Sequence, residues 1–109
     1  MELVVDTNVL ISAIIKSSKS RELLCSQKLV LFAPEHIISE SLSNKEEIIG
    51  KAGISESEFN ELLAILLSKI NLALSIAKNI PLWSNDKELK EQSLVKVLST
   101  EEIVAYFLF

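Results

Sequence analysis

The stretch Leu3-Val4-Val5-Asp6-Thr7-Asn8-Val9-Leu10-Ile11 decides the fold class. Leu3, Val4 and Val5 are too few for a helix face and β-branched enough for a buried strand. A carboxylate, a hydroxyl and an amide follow. Apolar residues then resume at Val9, Leu10, Ala13 and Ile14, which is helical spacing. A strand that ends in an acid and feeds a helix places that acid at the carboxyl edge of a sheet, where open α/β proteins bind their ligands. Asp6 is therefore the first candidate for chemistry. Its other reading is a helix N-cap, because Asp accepts well from an N–H two or three residues on. The acid count bears on the choice. Of the 15 acids only Asp6 and Asp86 are aspartate, and both follow a short apolar strand.

Outward from this stretch, the first helix is predicted to run from about Thr7 to Lys16. Ser17-Ser18-Lys19-Ser20 breaks it, and Ser18 or Ser20 caps a short helix through Leu23, Leu24 and Cys25. Lys28 to Ala33 reads as the second strand. Pro34 and Glu35 open a helix whose buried side carries Ile37, Ile38, Leu42, Ile48 and Ile49, with Glu40 about one and a half turns in. Gly50 and Gly53 close it. Ser55-Glu56-Ser57-Glu58 is a capping box that starts a helix through Phe59, Leu63, Leu66 and Ile70. From Leu62 to Ile80 the chain is almost uniformly apolar, about the roughly 20 residues of a membrane span. Lys69 and Asn71 at its centre make that placement costly. Two buried helices meeting near Ile70-Asn71-Leu72 are the better expectation, the second running to Lys78. Ile80 to Trp83 is the third strand, and Ser84-Asn85-Asp86 repeats the hydroxyl, amide and carboxylate that follow the first. A short exposed helix over Lys87 to Gln92 leads to a fourth strand at Val95 to Leu98. Ser99-Thr100-Glu101-Glu102 is a second capping box, opening a terminal helix that ends in Tyr106-Phe107-Leu108-Phe109. That tail packs on the sheet or joins a partner. Strands alternating with helices predict one α/β domain over residues 1–109, its parallel sheet of about four to five strands covered on both faces.

Composition narrows the function. The 109 residues are 49% apolar and 24% charged, which excludes a disordered chain. A net charge of −4 argues against a basic groove that binds nucleic acid by charge alone, though not against a nuclease whose acids are neutralised by cations. Cys25 has no intramolecular partner and reads as a small core hydrophobe. No secretory leader precedes the strand at residue 2, so a cytoplasmic, membrane-free protein is expected. Two glycines cannot build a glycine-rich phosphate loop. His36, the sole histidine, reads as structural or exposed.

Asp6, Asp86 and Glu40 are the acids such a sheet can bring together. Crowded carboxylates repel unless a cation lies among them, and oxygen donors suit Mg²⁺ or Mn²⁺. An ion held by acids and open to water equips a site for phosphodiester hydrolysis. Ser84 and Thr7 or Asn8 would orient the carboxylates as hydrogen-bond donors.

Val4-Val5-Asp6-Thr7-Asn8-Val9-Leu10-Ile11-Ser12-Ala13 resembles the opening of PIN-domain proteins, the fold of many toxin–antitoxin ribonucleases. Phe32-Ala33-Pro34-Glu35 through Ser39-Glu40 is similar to the family's second strand and helix, with Glu40 at its second acid. Leu72 to Ala77 followed by Ile80 to Lys87 is similar to its last acid motif, with Ser84 and Asp86 at the matching polar positions. The resemblance covers nearly the whole chain. It implies a Rossmann-like, three-layer α/β/α fold, dependence on Mg²⁺ or Mn²⁺, cleavage of single-stranded or structured RNA, a homodimer and a small antitoxin partner.

One departure stands out. The family carries a further aspartate cluster ahead of the helix that here would start near Leu72, and this chain has no Asp between Asp6 and Asp86. The family's short strand and connecting helix before that point also look absent. A natural deletion, loss of an internal segment near residues 70–72, and completion of the site by a neighbouring chain each account for it. The alternative to a nuclease is thus a catalytically impaired PIN-like module that binds RNA or a protein. A phosphoacceptor domain with Asp6 phosphorylated is disfavoured, because the first strand has no adjacent acid and no strand-end lysine is suitably placed.

Overall fold

The apolar run at the N-terminus forms the central strand of a five-stranded, all-parallel sheet. The computed structural model describes residues 1–16, 19–73, 79–91 and 96–108, with Leu108 described by its backbone alone. The order along the chain is β1 (Glu2–Val5), α1 (Thr7–Ile15), α2 (Lys19–Leu24), β2 (Val30–Pro34), α3 (His36–Ser43), α4 (Lys45–Ala52) and α5 (Glu56–Leu67). Then come β3 (Ile70–Ala73), β4 (Leu82–Trp83), α6 (Lys87–Glu91), β5 (Val97–Leu98) and α7 (Thr100–Leu108). The strands lie in the order β3-β2-β1-β4-β5 with helices flanking the sheet, a three-layer α/β fold. The order reverses direction at β1, so the crevice at its carboxyl end is the topological switch point where such sheets bind ligands. Asp6 stands at that end.

Side-chain alternation explains the layering. Leu3, Val5, Leu31, Ala33 and Trp83 are buried, and their in-register neighbours Val4, Phe32 and Leu82 on the other side are only half-buried. One face of the sheet is thus sealed more completely than the other. Leu10, Ala13 and Ile14 of α1 join the sealed side with Ile37, Ile48, Phe59 and Leu66.

The terminal turns follow the capping chemistry. The Ser55 hydroxyl accepts from the Glu58 N–H at 3.1 Å while the Glu58 carboxylate accepts from the Ser55 N–H. Ser99 and Glu102 repeat the arrangement at α7. Lys90 also pairs with Glu102 and, with the Ser99 bond, holds that carboxyl below the ordinary carboxylate range. This support is present above the usual pKa and fades as pH falls through the lowered one. The predicted long helix from Pro34 is instead two. Pro34 closes β2, and Asn44 (φ −99°) breaks the run, its side-chain amide donating to the Glu40 carbonyl. Gly53 ends α4 with φ 67°, a conformation that costs glycine nothing.

The last carbonyls of α1 are satisfied by Arg21, the chain's only arginine. Its guanidinium donates from Nε to the Ala13 carbonyl at 2.7 Å and from Nη2 to the Ile14 carbonyl at 3.1 Å. Two charge-assisted bonds at a helix C-terminus, where a cation also suits the dipole, make this a strong tie between α1 and α2. Arg21→Ala is expected to cost about 2 kcal/mol in urea unfolding. Arg21→Lys should recover less than half of that, because one ammonium cannot span both carbonyls. An unchanged midpoint in Arg21→Ala would contradict the role.

Two expectations are corrected between Ile70 and Ala73. No second helix begins at Leu72: Ile70 to Ala73 is a strand, and so the short strand that looked absent is there. A short apolar run reads alike in a buried helix and a buried strand. Pairing with β2 across Leu31↔Ile70 to Pro34↔Ala73 decides it, helped by the Asn71 amide donating to the Leu31 carbonyl at 2.9 Å. The remainder of that predicted helix, residues 74–78, lies outside the described residues, as do Ser17, Ser18, residues 92–95 and Phe109. Residues 74–81 are all that separate β3 from β4, although β2 and β1 lie between them in the sheet. Parallel strands ordinarily need a dozen or more residues for a crossover. The shortfall therefore lies just after β3, next to residues 70–72 where a missing segment is expected. Among the described residues no helix is long and apolar enough to cross a membrane. Cys25 is exposed rather than buried, because α2 ends at Leu24 and Cys25 falls in the turn beyond.

Candidate active site

The polar residues that follow β1 and β4 meet because the two strands are neighbours. The β1–β4 ladder runs through the Asp6 N–H to the Trp83 carbonyl at 3.1 Å, so Asp6 and Ser84 leave the sheet side by side. The Ser84 N–H bonds the Leu98 carbonyl of β5, and the side chain is 1% exposed. Its hydroxyl donates to Asp6 Oδ2 at 2.8 Å and accepts the Asp86 N–H at 3.1 Å. Residues 78 positions apart are thereby joined through one buried oxygen. Asp6 occupies the N-cap position of α1, with φ −76° and ψ 142°, yet its carboxylate makes no capping bond. The capping reading of this side chain is excluded, and its oxygens face Ser84 and the cleft.

Asp6 and Glu40 line one cleft of about 260 Å³, with Thr7, Pro34 and His36 on its walls. Glu40 comes from the second turn of α3, and its Oε1 is 2.9 Å from His36 Nε2 one turn earlier. The imidazole is exposed, as the sequence suggested, but it belongs to the acid cleft, which the sequence reading did not assign to it. The spacing of four between His36 and Glu40 on one helix was the available signal. Asp86 lines a second cleft of about 240 Å³ with Asn8, Ser12 and Asn85. Thr7 and Asn8, successive residues of α1, face the two clefts in turn. Asp86 Oδ1 accepts the Glu88 N–H at 2.9 Å and so caps α6, leaving Oδ2 for other partners. Among the described residues neither Thr7 nor Asn8 donates to a carboxylate, and no group of three or more His, Cys, Asp or Glu is arranged to hold a metal ion. Asp6 and Glu40 are brought to one cleft, and Asp86 is linked to Asp6 through Ser84 rather than set beside it.

Carboxylate oxygens are the donors a hard, water-rich divalent cation prefers. The oxygens come from carboxylates, no thiolate is present, and Mg²⁺ commonly needs only one or two protein carboxylates.

The PIN-domain family profile matches residues 4–73, more than half of the chain. The chain belongs to the PIN-domain family. No curated protein and no solved structure matches it. Membership brings a function of the nuclease type, with RNA as the general substrate of PIN domains and divalent metal ions as their general cofactor. The PIN match takes in Asp6 and Glu40. It ends at Ala73, the last residue of β3, the same point at which the crossover is short, so Ser84 and Asp86 fall beyond it.

Proposed function

We propose that residues 1–109 form one PIN-type domain that acts as a metal-dependent endoribonuclease in the cytoplasm. On this reading Asp6, Glu40 and Asp86 hold Mg²⁺ or Mn²⁺, and Ser84, Thr7 and Asn8 support them. The observation that carries it is the buried Ser84 hydroxyl, which holds the Asp6 carboxylate at the switch point of the sheet while accepting the Asp86 backbone N–H. A helix cap would not need that bond, and the Asp6 carboxylate does not serve as one.

When bound, a divalent ion supplies a water of lowered pKa and charge stabilisation at the scissile phosphate. The chain's own residues do the rest. Ser84 fixes one oxygen of Asp6 from a buried position, which removes rotamer freedom from the carboxylate. Glu40 sits on α3 with His36 as its partner, free to turn toward the cleft because both side chains are about half or more exposed. Asp86 holds the end of α6 with one oxygen and offers the other. The overall change is hydrolysis: a water oxygen bonds to phosphorus, one phosphodiester P–O bond breaks, and the leaving oxygen takes a proton. An antitoxin protein and a second copy of the chain are the partners this reading brings with it.

A second reading, a PIN-like module that binds RNA or a protein without turnover, is favoured by one observation. Among the described residues no three acids converge. One experiment separates the two. Mixed-sequence single-stranded RNA is incubated with the protein in Mg²⁺, in Mn²⁺ and in EDTA. Cutting that needs metal supports the nuclease. Stoichiometric binding with no cutting in either metal overturns it in favour of the binding module.

A further inference from the structure

We infer that the open cavity between α2, α6 and α7 is a subsite for a nucleotide of the RNA strand flanking the cleaved phosphodiester. The inference rests on the nuclease reading for the identity of the strand, while the site itself stands on the following observations. The cavity measures about 810 Å³, well above either acid cleft and within the roughly 300–1,000 Å³ of ligand pockets. Asn85 and Asp86 line both this cavity and the cleft beside Asn8, so the two spaces share a wall.

Placed lysines are what this cavity offers a polyanion. With a net charge of −4, the chain cannot draw a polyanion by its overall field and must rely on placed cations. Lys19, Lys87 and Lys90 all line the cavity. Lys90 is engaged by Glu102. Lys87 pairs with no acid among the described residues. Among the described residues Lys19 pairs with Glu22 three residues on, at 3.2 Å, with side chains 68% and 71% exposed. Such a surface pair is weak and yields readily to a phosphate. Of the acids on the wall, Glu102 is neutralised by Lys90; Glu101 and Asp86 remain, and on the nuclease reading the charge of Asp86 is met by the bound cation. Val104 and Ala105 of α7 give the cavity an apolar side against which a base can lie.

The wall is held in shape before any ligand arrives. Thr100 Oγ1 accepts from Trp83 Nε1 at 3.0 Å and from Asn85 Nδ2 at 2.9 Å. With both lone pairs used, its own proton goes to Ser20 Oγ at 3.3 Å. The Thr100 N–H in turn donates to Asn85 Oδ1 at 2.8 Å. One residue thereby ties α2, the loop after β4 and the start of α7 around the cavity.

The test is fluorescence anisotropy with a labelled single-stranded RNA in EDTA, titrated at several salt concentrations. Lys19→Ala/Lys87→Ala is compared with Lys51→Ala/Lys69→Ala, which removes the same charge elsewhere. The cavity variant is expected to bind at least about 10-fold more weakly. Its salt slope should fall by about 1.4, for two phosphate contacts on a single strand. The control variant should stay within about 2-fold of wild type. Three results overturn the subsite: cavity-variant binding within 2-fold of wild type, an equal loss in the control, or no RNA binding by wild type. Because the assay needs no cutting, its failure is separable from that of the nuclease. Weakened binding with no cleavage in metal keeps the subsite and removes the nuclease, and cleavage with unchanged binding does the reverse.

Discussion

In RNA-cleavage assays with Mn²⁺, Asp6→Asn is expected to cut at least about 100-fold more slowly than wild type, equivalent to about 2.7 kcal/mol in the barrier. The substitution preserves size and an oxygen acceptor for the Ser84 hydroxyl, now bonded to Asp6 Oδ2 at 2.8 Å. What it removes is the charge that holds a cation. Stability should stay within about 0.5 kcal/mol, since the carboxylate makes no capping bond to α1 and Asn satisfies the Ser84 contact equally well. Lost activity at unchanged stability is the signature of a residue kept for chemistry. Full activity in Asp6→Asn would remove Asp6 from the proposed site, and with it the reason to read the Ser84 bridge as catalytic.

Trp83→Ala is expected to cost about 3–5 kcal/mol in urea unfolding, the largest loss of stability from one substitution considered. Domains of this size are stable by only about 5–15 kcal/mol, so the variant should be partly unfolded near physiological temperature. Trp83 is fully buried on β4, beside Val5 in the centre of the sheet, and its indole N–H donates to Thr100. Truncation leaves a cavity next to Ser84 as well as an unpaired Thr100 lone pair. Trp83→Phe separates the two terms: it keeps most of the apolar area and loses the N–H bond, for about 1–2 kcal/mol. A loss under 1 kcal/mol in Trp83→Ala would mean that the β4 side of the sheet is not a close-packed core.

Local pattern carried much of this protein. Apolar runs broken by Asp6 and by Ser84-Asn85-Asp86 marked the strand ends, and both capping boxes formed where Ser and Glu stood three apart. Those features depend on contacts within a few residues, which is why they are legible in one dimension. Cys25 was misread because burial depends on where a helix stops. Ile70 to Ala73 was misread because a short apolar segment is committed to helix or strand by what pairs with it. His36 reads from the sequence as structural or exposed; it is exposed, and only the fold brings its Glu40 partner to the cleft that Asp6 lines.

By itself, then, the sequence determined the alternation of strand and helix, the parallel sheet, and the acids offered at its carboxyl edge. Periodicity and capping are local energies summed along the chain. Tertiary structure decided which acids share a cleft. Pairing of β1 with β4 put a buried serine hydroxyl between Asp6 and Asp86, and α3 carried Glu40 to the cleft that Asp6 lines. It also decided that Thr100 gathers three elements around a lysine-lined cavity. These are contacts across as many as 80 residues, as between Ser20 and Thr100, and no local pattern encodes them. They form only because burying the sheet orients every element at once.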